Sequence, residues 1–257
     1  MLSVDAPMAP WIIGAVLVAL VGLLILRAVR RDRREYHLFK RYRSTKRRQR
    51  MLRKWLLESF AWLGGAAGIL LLLVWQFIGP MLEQVERWPA MVALRDAIES
   101  GGSLVRGFII GGAIGLVVFL LFLLIRAGKE PHDEIETLGD IQALLPRNRA
   151  ELKYGWLLSL NAGVVEELLF RLALPAALFA VTGNALVAVV VSLVVFGAMH
   201  AYQGIGGVLG TLVFGAVLMV LFLATGSILW PIIVHALFDL RSLVLIPMVI
   251  GKVHRVV

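Results

Sequence analysis

Seven runs of apolar residues, each near the length of a bilayer crossing, leave this chain few ways to fold. A helix needs about 20 apolar residues to cross the hydrocarbon core, where lipid offers the backbone no outside hydrogen-bond partner. The runs cover residues 10–26, 56–78, 104–125, 154–178, 185–201, 205–224 and 228–250. With 60% hydrophobic residues and a mean hydropathy of +0.85, the composition excludes an ordinary soluble domain. The expected fold is all-α: a polytopic transmembrane helical bundle of about seven spans, the last four forming a C-terminal four-helix core.

The net charge of +9 is concentrated in residues 27–54, where 14 Lys and Arg stand against Asp32 and Glu35. A basic run beside a membrane span is read as a cytoplasmic loop held by the positive-inside rule and by anionic lipid. No nucleic-acid partner is expected. That orientation puts the N-terminus outside and the C-terminus, with Lys252 and Arg255, inside. The acidic connection at 80–103 then falls outside, in agreement. The first run has no Lys or Arg before it and no small-x-small site before Arg27, so it does not read as a cleavable signal. The absence of cysteine removes disulfides, thiol catalysis and Cys-ligated metal.

Mixed charges with Pro131 and Pro146 mark a linker at 131–153. It separates an N-terminal three-span region (1–130, with the basic loop 27–54) from a core at 154–257. Glycine pairs four residues apart (Gly64/Gly68, Gly111/Gly115, Gly206/Gly210) are expected at close helix contacts.

The core spans carry ionisable residues where a membrane helix normally carries none. A charge at mid-bilayer costs roughly 2.5–3.5 kcal/mol on translocon scales, so these positions need a reason. Glu167 and Arg171 are four apart and share a helix face, and so do His235 and Asp239, and Phe196 and His200. Glu166 lies about 100° around the axis from Glu167 and is left without that partner. A carboxylate one turn from an imidazole fixes its tautomer, which assigns Asp239 to His235. Each motif alone is equally well a structural pair. Together, a carboxylate base, two imidazoles and a further carboxylate make a hydrolytic constellation.

The ordered trio Glu166-Glu167-x-x-x-Arg171, Phe196-x-x-x-His200 and His235-x-x-x-Asp239 resembles the CAAX prenyl protease and bacteriocin-processing family of intramembrane proteases. The resemblance covers about residues 144–240 and includes Pro146 and the small residue Gly163. It departs from the family at Leu172, often Gly, and at Asp239, often Asn. It implies an intramembrane endopeptidase in which Glu166 and His200 activate water. Glu167, held by Arg171, shapes the site, and His235 and Asp239 support the tetrahedral intermediate. It also implies a membrane-associated protein or peptide substrate and a multi-pass location, here the bacterial cytoplasmic membrane.

Two alternatives stay open. Glu166, His200 and His235 also make the two-His, one-carboxylate set of a zinc centre, although no HExxH is present and no cofactor is the favoured reading. The same residues also suit a proton relay or a non-enzymatic membrane scaffold or immunity protein. For Glu166, His200 and His235 to meet, the chain after His200 must dip into the membrane, giving a pocket lined by those three and Gly204.

Overall fold

The protein is seen here in a computed structural model that describes residues 8–102, 126 and 139–256. Among these residues all regular structure is helical. We number the helices α1 (Ala9–Phe39), α2 (Thr45–Glu86), α3 (Pro89–Ser100), α4 (149–182), α5 (Ala185–Met199), α6 (Gly204–Thr225) and α7 (Leu229–Val249). Helices α1, α2, α6 (with the turn before it) and α7 are long and apolar enough to cross a membrane. The run at 104–125 lies outside the described residues.

The basic stretch departs from expectation. Residues 27–54 are not a loop. Helix α1 continues through Arg27 to Phe39, and α2 begins at Thr45, leaving only a short turn. The reason is local: Arg, Glu, Leu and Ala are good helix formers, and no Gly or Pro lies between Arg27 and Ser44. Acidic residues hold the two arms together. Glu58 accepts from Arg27 and Arg31 at 2.7 Å each, and Glu35 accepts from Trp55 Nε1 at 2.9 Å.

Helix α4 starts at a capped turn. The Asn148 side chain accepts from the Glu151 N–H at 3.1 Å, and Glu151 accepts in return from the Arg147 N–H at 3.1 Å. This reciprocal arrangement satisfies donors that a helix start leaves open. At its far end α4 stops at Gly183, whose φ of +64° a side chain would oppose. Asn184 then caps α5 by accepting from the Val187 N–H at 3.1 Å.

Two glycines bring α4 against α7. A Cβ on Gly155 would lie 2.5 Å from the Leu243 carbonyl oxygen, and one on Gly163 would lie 2.9 Å from Ala236 Cβ. Such contact is what small residues permit in membrane bundles. The glycine pairs singled out by spacing do less: a Cβ on Gly64 would meet Val165 at an ordinary 3.4 Å, one on Gly68 would meet nothing within 4 Å, and one on Gly206 nothing nearer than 3.9 Å. Gly111 and Gly115 lie outside the described residues.

Four helices contain one π turn each: Ala28–Asp32, Phe60–Gly64, Leu168–Ala173 and Arg241–Leu245. The main apolar cluster joins the two ends of the chain, with Ile13, Leu17, Leu70 and Val74 against Phe170, Ala176, Ala177 and Phe196.

Candidate active site

A cavity of about 570 Å³ opens between the core helices and the N-terminal hairpin. Glu166, His200, His235 and Asp239 lie on its wall, together with Phe196 and Phe214. Glu167 and Arg171 stand behind that wall, both fully buried. The expected pocket is therefore present with one change: Gly207 and Gly210 line it, rather than Gly204.

The position of His200 follows from the length of α5. At about 1.5 Å per residue its turns span roughly 22 Å, short of the ~30 Å hydrocarbon core. The helix ends at Met199, and a 3₁₀ turn, Ala201–Gln203, carries the chain to Gly204, whose φ is +75°. Irregular backbone at such depth is tolerated where it lines a cavity. The His200 Nδ1–H donates to the Phe196 carbonyl at 2.9 Å, because a carbonyl only accepts. That bond leaves Nε2 as the open lone pair, 3.9 Å from Glu166 Oε2.

His235 is oriented differently from the spacing argument. Its Nδ1 hydrogen-bonds Glu167 Oε1 at 2.7 Å, while Asp239 Oδ2 stands 3.8 Å from Nε2. Glu167, across the α4–α7 contact, fixes the ring, and Asp239 stays partly exposed in the cavity. Gly163 and Ala236 explain this: their contact, one turn before Glu167 and one residue after His235, brings the two side chains into reach. A rule limited to pairs on one helix misses a partner on another.

Arg171 pairs with Glu167 at 3.2 Å, with its guanidinium 4.3 Å above the Phe196 ring. Its three nitrogens are buried and make no hydrogen bond among the described residues. Phe196 also meets the rings of His200 (5.0 Å) and His235 (6.4 Å), so one aromatic side chain separates the two imidazoles and covers the cation. The π turn that holds Arg171 has a further partner that sequence reading missed: Ser192 Oγ donates to the Phe170 carbonyl at 2.6 Å.

The N-terminal hairpin supplies the opposite wall, with Arg27, Asp32, Tyr36, Trp55, Glu58 and Trp62. Tyr36 packs edge-on against Tyr202, at 5.4 Å, and Tyr202 stacks on His200 at 6.1 Å. No motif marks these residues. Their only trace in the sequence is that Asp32, Glu35 and Glu58 interrupt a basic or apolar context.

Fold and site together define a helical membrane protein enclosing a carboxylate–imidazole centre. Residues 148–241 match the family model described as Rce1-like, type II CAAX prenyl endopeptidase Rce1-like. The match runs from the cap of α4 to the start of the last π turn, contains all six motif residues and leaves residues 1–147 outside. Over that segment the chain is similar to the CAAX prenyl proteases, as its motifs indicate. No curated protein and no solved structure matches the chain.

Among the described residues, no three His, Asp or Glu side chains form a group fit to hold a metal ion. Glu166, His200 and His235 share the cavity without converging as a ligand set.

Proposed function

We propose that this protein is a CAAX-type intramembrane endopeptidase in which Glu166 and His200 activate the attacking water. The observation that carries this is the Glu166–His200 pair: a carboxylate and an imidazole lone pair face one another at 3.9 Å on the cavity wall. A water beside both gives one proton to Glu166 as its oxygen attacks the scissile carbonyl carbon. The tetrahedral intermediate then collapses. The C–N bond breaks, and Glu166 returns the proton to the departing amine. His235, its Nδ1 held by Glu167, donates from a protonated Nε2, and Asp239 in its protonated form donates its O–H, to the developing oxyanion. Arg171 acts through Glu167 and touches no reacting atom.

The family match supports a substrate that is a membrane-associated protein or peptide, and it makes a prenylated C-terminal peptide the first one to try. The test uses protein in lipid nanodiscs, with prenylated and unprenylated forms of one peptide, in the presence and absence of chelator. Glu166→Gln should lower turnover by about 10²–10⁴-fold, the usual worth of a general base, with the fold intact. Wild-type turnover in that variant would refute the glutamate mechanism. Loss of turnover with chelator, restored by zinc, would replace it with a metal-dependent one.

A further inference from the structure

Ten basic residues of the N-terminal hairpin fall into two sets. Arg27, Arg31, Lys40, Arg48 and Lys54 are paired with Glu58, Glu35, Asp140, Glu151 and Glu35 respectively. Arg30, Arg33, Arg34, His37 and Arg41 turn outward and line one shallow groove of about 340 Å³ with Val29 and Leu38. All seven groove residues are exposed, and none of the five basic ones has a side-chain partner among the described residues.

We propose that this groove binds the headgroup of an anionic phospholipid, with two phosphates as the best fit. Three observations support that occupant. The first is charge: four arginines and a histidine stand together without one acid. The second is place, since the groove continues directly from the apolar stretch of α1, Ala9–Arg27, where a membrane-crossing helix meets headgroups. Val29 and Leu38 give the groove apolar edges suited to the start of acyl chains. The third is spacing. Arg30, Arg33 and Arg34, His37, and Arg41 lie on successive turns about 5.4 Å apart. Two phosphates joined by a short linker meet two such turns, whereas a single phosphate leaves most of the cations unmatched. Arginine's planar fork also suits phosphate oxygens.

The opposite face of the same helical stretch lines the catalytic cavity through Arg27, Asp32 and Tyr36. A headgroup in the groove therefore grips the helix that forms one wall of the site.

The test is native mass spectrometry of the full chain in detergent. One-phosphate anionic, two-phosphate anionic and zwitterionic phospholipids are titrated in turn. Arg30→Gln/Arg33→Gln/Arg34→Gln should weaken anionic-lipid retention by roughly 10–100-fold, since each basic residue at a membrane surface is worth about a factor of five. The control is Arg47→Gln/Arg50→Gln/Arg53→Gln, which removes the same charge from exposed positions on α2 outside the groove. It should change retention by less than about threefold. Arg34→Gln alone should give an intermediate loss. Equal losses from the two triple variants would mean diffuse attraction and overturn the site. Displacement of bound lipid by millimolar inorganic phosphate, or by a short RNA, would overturn the lipid assignment. None of these readouts depends on peptidase activity.

Discussion

Two buried arginine–glutamate pairs sit in this molecule, and they are built in opposite ways. Arg48 and Glu151 join the N-terminal hairpin to the start of α4. Arg48 Nε reaches both oxygens of Glu151 at 3.0 and 3.1 Å, and its Nη2 donates to the carbonyls of Ala143 and Leu145. Arg171 and Glu167 lie behind the cavity wall, and there no arginine nitrogen makes a hydrogen bond among the described residues, whereas in Arg48 only Nη1 is left without one. A buried polar group left without a partner costs about 1–3 kcal/mol, so folds rarely keep one without a use. The first pair has the geometry of a clasp. The second leaves Glu167 free to direct an oxygen at His235. Two pairs of the same chemistry thus serve different ends, and the difference lies in where the second oxygen of each glutamate goes.

The comparison can be broken by removing each arginine. Arg48→Ala and Arg171→Ala should each destabilise the protein by about 3–5 kcal/mol, because each strands a buried carboxylate. Thermal unfolding in detergent measures that loss. Turnover per folded molecule should survive in the first and fall in the second. Equal turnover in both would deny the Arg171 pair any part in catalysis. Glu167→Gln with Arg171→Ala should regain stability relative to Arg171→Ala alone, and additive losses would show that the two do not interact.

Asp239 sharpens the picture from the other side of His235. Glu167 orients the ring, and the proposed mechanism then gives Asp239, protonated, the part of an oxyanion donor. Asp239→Asn should keep activity within a few-fold, while Asp239→Ala should lose about 10²–10³-fold. If both lose equally, an ionised carboxylate is required at that position.

Gly163→Val tests the contact that joins α4 to α7. Its Cβ alone meets Ala236 at 2.9 Å, so overpacking of about 1–3 kcal/mol is expected, with turnover falling further than that loss of fold explains. The smallest effect belongs to Ser192→Ala, which removes the bond to the π-turn carbonyl of Phe170 and should cost about 1 kcal/mol with modest change in turnover.

The motif helices were legible because helical spacing and intramembrane charge are local signals. Glu166, His200, His235 and Asp239 lie on one cavity because successive apolar helices have little choice but to pack together. The Glu167–His235 bond was not legible, since it depends on Gly163 and Ala236 letting two helices approach. The Arg48–Glu151 pair spans distant parts of the chain, so no short window contains both. The helical form of residues 27–54 was not legible, because charge density does not distinguish a solvated helix from an irregular connection.

Each π turn contributes to the cavity wall: Asp32 from the first, Trp62 and Leu63 from the second, Phe170 from the third, and Arg241, Ser242 and Leu243 from the fourth. A π turn holds one more residue than an α turn and so rotates everything after it by about 100°. Each of these helices is therefore two segments with independently set faces. Deleting a single residue from such a turn should yield a smoother helix whose downstream half is turned by about 100°, carrying its present cavity-lining residues out of register. For a chain like this, length within these four turns shapes the cavity as much as the residues that fill it.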